Sequence, residues 1–116
     1  MGSLRLLSRQ WIVDENDNII IGEGRKEILE NIERTGSINK TAKIMKMSYK
    51  AVWGKIKATE KSFNVRVVDT DRTTGSRLTR EGKDLLNKYS RLKRECLEAE
   101  DSLFKSIFEQ ENGQKG

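Results

Sequence analysis

Between Ser37 and Lys61 the sequence sets Lys40, Lys43, Lys46, Lys50, Lys55, Lys57 and Lys61 against a single acid, Glu60. Ammonium groups at that density neutralise phosphate oxygens, and on helical faces they form the electrostatic footprint of a phosphate-backbone binder. The same run would serve equally as a solvated face kept for solubility, so position in the fold has to decide. Charge elsewhere isolates the cluster. The balance is −2 through Gly24 and −4 from Glu95 onward, while Arg25 to Arg94 carries nineteen basic and eight acidic residues. A segment of +11 therefore lies between acidic ends in a chain whose net charge is only +5.

Counting excludes most other chemistry. There is no histidine and one cysteine, Cys96, so zinc sites of the Cys/His type, Ser/His or Cys/His nucleophile pairs and an internal disulfide are ruled out. Carboxylates are plentiful but fall mostly on outer helical faces, and none forms a pair isolated in an apolar setting as acid/base catalysis needs. No enzyme, metal or cofactor is expected. The 116 residues are 34% hydrophobic and 35% charged with a mean hydropathy of −0.74, which fits one domain with a thin core and long, solvated helices. The lone thiol suits a reducing cytoplasm, and no apolar run approaches the ~20 residues of a membrane span. Met1-Gly2-Ser3 lacks a signal peptide's apolar segment, and Leu6 stands where a myristoylation signal wants Ser or Thr. A soluble, unanchored, cytoplasmic protein is the expectation.

The elements that must position the lysines can be read in order. Leu4, Leu6, Trp11, Val13 and Ile19-Ile20-Ile21 flank the turn-forming Asp14-Glu15-Asn16-Asp17-Asn18, which predicts a β-hairpin. After Gly22 and Gly24, Ile28, Leu29 and Ile32 mark a short amphipathic helix over Arg25–Arg34, closed by Thr35-Gly36. Ser37 can cap a second helix with Ile38, Ala42, Ile44 and Met45 inward and Lys40, Lys43 and Lys46 outward. Ser48 can cap a third through about Lys61, with Val52, Ile56 and Thr59 on one face. At 100° per residue, Lys50, Gly54, Lys57 and Lys61 lie about 140° to 200° from Val52, on the far side. Two short helices joined by a tight turn, the second with a lysine-bearing outer face, make a helix-turn-helix, and the lysines occupy the place where such a unit meets DNA.

Val65, Val67 and Val68 predict a strand, and Asp69 to Ser76 a polar hairpin tip before Arg77 and Leu78, which together read as a wing. Thr79-Arg80-Glu81-Gly82 offers an N-cap and an early acid for a last helix reaching about Gln110, roughly 45 Å long. Its apolar positions Leu85, Tyr89, Leu92, Cys96, Ala99 and Leu103 step by four and three as a heptad seam, so the helix is expected to start against the domain and continue into a dimerisation surface. The expected organisation is mainly α with small β: residues 1–78 a winged helix-turn-helix with an N-terminal hairpin, 79–110 the dimerisation helix, and 111–116 a disordered tail.

This order of elements, and its local wording, resembles the DNA-binding half of ModE-type molybdate-responsive regulators over about Arg9 to Leu92. The residues that carry the likeness are Trp11-Ile12, Gly22-Glu23-Gly24-Arg25, Gly36-Ser37-Ile38, Met47-Ser48-Tyr49-Lys50-Ala51-Val52-Trp53 and Leu78-Thr79-Arg80-Glu81-Gly82, the last shared with LysR-type regulators. The resemblance implies a homodimer on an inverted-repeat operator, with the helix from Ser48 as the recognition helix. It makes Ser37, Ser48, Tyr49, Lys50, Trp53 and Lys57 the DNA-facing candidates; Lys40, Arg72 and Arg77 join them from the charge cluster and the wing. Family members carry a C-terminal molybdate-binding region, which is expected to be lacking here because the chain ends soon after the long helix; control would then come from another signal or a separate sensing protein. The wing also departs from its glycine-rich relatives, with Gly75 alone.

Several of these residues have a second reading. Lys50 and Lys57 contact DNA or are merely solvated, as do Arg72 and Arg77. Tyr49 bonds a phosphate or packs on the preceding helix. Trp53 is read chiefly as packing, Ser48 first as a cap, Arg25 as structural beside an acidic neighbour, and Cys96 as a buried apolar residue. A competing function keeps the fold but makes the chain an interaction module that pairs through its last helix with a separate sensor or regulator.

Overall fold

The computed structural model describes residues 3–109, and the expected tail lies outside them. A short hairpin opens the domain, β1 (Ile12–Val13) paired with β2 (Ile19–Ile21). Its turn is tied by Asp14, whose Oδ1 accepts the amides of Asn16 at 2.8 Å and Asn18 at 2.9 Å. The hairpin is shorter than the apolar pattern suggests, because Leu4 and Leu6 belong to an extended, exposed arm.

Three helices follow: α1 (Glu23–Thr35), α2 (Ile38–Met45) and α3 (Tyr49–Phe63). Helix α1 begins two residues before Arg25, since Gly22 acts as an extended N-cap and not as a break. Gly22 lies close beneath Trp11: a Cβ there would fall 2.9 Å from Trp11 Nε1 and closer still to Cδ1, so the exposed indole would have to shift. Gly36 ends α1 in the left-handed region at φ 70, a conformation that costs an L side chain energy. Ser37 and Ser48 cap α2 and α3 as read, accepting from the amides of Lys40 at 3.1 Å and Ala51 at 3.0 Å.

One inward residue of α2 is corrected. Ile44 is half exposed, because it lies about 120° around the helix from the stripe of Ile38, Ala42 and Met45. Thr41 takes the buried place and donates its hydroxyl to the Ser37 carbonyl at 2.8 Å.

The wing is β3 (Val68–Asp71) paired antiparallel with β4 (Gly75–Leu78). Its tip is narrower than predicted, only Arg72 to Thr74, pinned by Asp71 Oδ1 accepting from the Thr73 amide at 2.6 Å. Val65 stays outside the strand and is exposed, while Val67, just before it, is fully buried. The last helix, α4 (Arg80–Phe104), continues as a wider π-type turn, Lys105–Glu109.

The core gathers Ile21 from the hairpin, Ile28 and Ile32 from α1, Val52 and Ile56 from α3, Val67 and Val68 from the wing, and Leu85, Leu86 and Tyr89 from α4. This corrects the expected pairing seam at its first two positions. Leu85 and Tyr89 are buried within their own domain, and the Tyr89 hydroxyl donates to the Gln10 carbonyl at 2.7 Å. A heptad spacing marks any buried helical stripe, and here the first turns of α4 fill a core that four short elements leave open. Beyond Lys93, whose ammonium pairs with Glu23 at the start of α1, the helix projects. The radius of gyration is 18.3 Å and the longest extent 65 Å, against about 13 Å for a compact chain of 100 residues.

Candidate nucleic-acid interface

Helices α2 and α3 meet at a turn that ends on Lys46, which adopts φ 56. Its amide bonds the Lys43 carbonyl and the Met47 amide bonds the Ala42 carbonyl at 2.9 Å, so α2 closes in the left-handed manner usually left to glycine. A lysine here holds its charge at the turn despite the backbone cost. Lys46 was read only as part of the outer face of α2; the αL position is invisible without the turn geometry.

Val52, Ile56 and Thr59 fix the roll of α3 by burying one face. Thr59 donates to the Ile20 carbonyl at 2.7 Å, locking the helix to the hairpin. The opposite face exposes Lys50, Gly54, Lys57 and Lys61. Tyr49, on the first turn, is exposed although it lies nearer the buried side. Gly54 was not singled out from sequence as a contact, yet a Cβ there would meet nothing within 4 Å. No neighbour requires a glycine whose place in a helix interior costs roughly 0.5–1 kcal/mol against alanine. Ser37 is half-buried beneath its cap, whereas Ser48, at the N-terminus of α3, is exposed.

Among the described residues Lys40, Lys43, Lys46, Lys50, Lys55 and Lys61 make no ion pair, although seven other basic side chains do. Uncompensated like charges held on adjoining helices repel one another, and the arrangement becomes favourable when an anion covers it. Lys57 differs from the others. Its Nζ lies 4.5 Å from the centroid of Trp53 and 3.1 Å from Glu60 Oε1. Trp53 itself packs partly against the core, the flank-facing role expected of it.

Glu60, seen in the sequence only as the lone acid among lysines, is a brace. Its Oε2 accepts the amides of Val67 at 2.8 Å and Val68 at 3.3 Å, joining the end of α3 to the wing. Burial works to raise this carboxyl, but the two amides and the Lys57 ammonium outweigh it and hold the group below its ordinary 4.5. A carboxyl depressed on folding adds stability above its unfolded value, and the contribution is lost as pH falls through the folded value. Thermal melts should therefore show wild type losing more stability below pH 4.5 than Glu60→Gln, which has no charge there to protonate; identical pH profiles would remove the brace.

A second contact fixes the wing from the other side. The Ser76 amide donates to the Gly36 carbonyl at 2.9 Å, and Gly75, at φ 88, allows the approach because a Cβ would sit 2.5 Å from that oxygen. Arg72 at the tip and Arg77 on β4 are exposed and make no ion pair among the described residues. Arg25 is structural, but its partners are the Ile19 carbonyl and, at 3.2 Å, Thr59 Oγ1, not a carboxylate.

Among the described residues no three carboxylate or thiol groups gather as a metal site, and no helix is long and apolar enough to cross a membrane. The chain is 32% identical over 117 positions to the Molybdenum transport protein ModE of Azotobacter vinelandii, with 97% of this chain and 43% of that protein covered. It thus spans less than half the length of that curated relative. In fold it is similar to the crystal structure of a LysR family transcriptional regulator, with a TM-score of 0.57 and 17% identity over 73% of this chain and 29% of that one. The family described as bacterial regulatory helix-turn-helix protein, lysR family, matches residues 25–83. That span, more than half the chain, runs from Arg25 through both capped helices and the wing to the first turn of α4, and the chain belongs to this family of helix-turn-helix regulators.

Proposed function

We propose that the chain regulates transcription by binding an inverted-repeat DNA operator as a homodimer, each copy placing α3 in the major groove of one half-site. The observation that carries this reading is the exposed face of α3 and α2, where lysines without ion pairs surround a glycine that packing does not explain. Lys50 and Tyr49 on the first turn of α3 reach base edges or phosphates, Gly54 lets the helix backbone approach the groove, and Lys40, Lys43 and Lys46 face the flanking phosphates. Arg72 and Arg77 extend the contact along the duplex from the wing. Lys57 leaves Glu60 for a phosphate only at the cost of its existing pair, so its share in affinity is smaller than that of Lys50.

Dimerisation is supported by the projecting half of α4, where Leu92, Leu103, Ile107 and Phe108 are exposed. Such a stripe on a lone helix has no burial of its own. Charge favours antiparallel pairing: Lys83, Lys88, Arg91 and Arg94 lie in the half near the domain, and Glu98, Glu100, Asp101 and Glu109 in the far half. A parallel pair would oppose acid to acid. Two recognition helices related by a two-fold axis read half-sites about 34 Å apart or a multiple of it. The relative's name speaks of molybdenum transport, and that protein is more than twice the length of the span it shares with this chain. Selection from random duplex DNA at stated salt tests the proposal: enrichment of a palindrome is expected, and an unenriched pool would overturn it.

A further inference from the structure

The arm that precedes β1 is the least explained part of the molecule. Residues 3–11 form no strand or helix, yet the arm is tied to α4 at two points. The Ser8 hydroxyl donates to the Glu100 carboxylate, and Tyr89 donates to the Gln10 carbonyl. Leu4 and Leu6 thereby form one wall of a trough of about 530 Å³ whose other wall is Leu97 and Phe104, with Glu98 and Asp101 among its acidic lining. The apolar side chains of the arm are not consumed by these contacts: Leu4 is 67% and Leu7 76% exposed.

The position of the arm on α4 gives it a use. At 100° per residue, Leu97, Glu100 and Phe104 lie about 80° to 140° around the helix from Leu92, whereas Cys96, Ala99 and Leu103 stay within about 40° of it. The arm thus runs beside the heptad stripe without covering it. We propose that the arm is the lateral wall of the homodimer interface, so that a second copy of the chain lies in the trough between the arm and the exposed stripe of α4. This rests on the homodimer proposed above and adds to it a segment outside the helix-turn-helix. The occupant is chosen by charge and continuity. The acidic lining calls for a basic, apolar helix, and the half of α4 from Lys83 to Arg94, basic in net even with Lys88 paired to Asp84 and Arg91 to Glu95, is one that every second copy supplies in antiparallel register. Leu97, itself exposed, lines the trough and carries its apolar surface along α4 beside the stripe.

Sedimentation of the full chain with Leu6→Glu and Leu103→Glu variants tests the assignment. Neither residue belongs to the core, so circular dichroism should be unchanged in both. Removing a leucine from an interface is worth about ten-fold or more in the dissociation constant, and both variants should weaken the dimer by that factor. If Leu103→Glu dissociates while Leu6→Glu pairs as wild type, the arm is not part of the interface and the dimer stands. A tighter dimer for Leu6→Glu would show that the arm shields the stripe, which also overturns the proposal. A wild type that is monomeric at every accessible concentration would overturn both the arm and the homodimer.

Discussion

Gly82→Ala is expected to destabilise the domain by about 3 kcal/mol or more, at the upper end of what overpacking a buried position costs. Gly82 sits in the first turns of α4 and is buried against the chain entering the wing. A Cβ there would fall 3.0 Å from the carbonyl carbon of Val67 and 3.2 Å from its Cα, and closer still to the oxygen. These are backbone atoms that cannot swing aside. The Val67 oxygen accepts the Thr79 amide at 2.9 Å, its amide is held by Glu60, and its side chain is fully buried. Thr79 adds a further tie, accepting the Gly82 amide at 2.9 Å while donating to the Arg66 carbonyl at 2.7 Å. The motif Leu78-Thr79-Arg80-Glu81-Gly82 is therefore a joint: it caps the long helix and lets its backbone press on the strand in one step. A fall in melting temperature of roughly 15 °C follows from that cost. Gly24→Ala is the control, since nothing lies within 4 Å of its added methyl and helix propensity should make it neutral or stabilising. A Gly82→Ala protein that melts like Gly24→Ala would refute the close approach.

Lys50→Ala should do the opposite, leaving the fold alone and removing recognition. Lys50 is exposed, makes no ion pair and lies within the first turn after the Ser48 cap. Its loss should change stability by less than about 0.5 kcal/mol. A lysine that bonds base edges contributes about 1–3 kcal/mol of discrimination, or roughly 5-fold to 150-fold in affinity for the preferred site. Truncating Arg72 should lower affinity more evenly across sequences and flatten the salt dependence, as a phosphate or minor-groove contact does. If Lys50→Ala weakens preferred and random duplexes equally, the residue contacts phosphate and specificity resides elsewhere on α3.

The parts of this account that could be read from sequence share one property: they depend on neighbours within four residues. Ser37, Ser48 and Thr79 cap their helices and Gly36 ends α1, because capping is satisfied locally. Stripes such as Val52, Ile56 and Thr59 were legible for the same reason. What the sequence hides depends on distant partners. Gly22 reads only as the end of the hairpin until it is found capping α1 beneath Trp11. Glu60 reads as one stray acid until the amides of Val67 and Val68 turn toward it. Leu85 and Tyr89 carry the spacing of a pairing seam, and spacing does not say whether the covering surface comes from the same chain or another. The turn lysine, Lys46, shows the limit from the other side: a residue whose type argues against the backbone it adopts is found only by looking.

The central claim is that two copies of α3 read two half-sites from the lysine-bearing face. Base-resolution footprinting on a duplex containing the selected sequence tests it most directly. Two protected half-sites about one helical turn apart or a multiple of it are expected, appearing together as protein is added and both lost in Lys50→Ala. Protection of a single half-site, or a footprint that Lys50→Ala leaves intact, would contradict it.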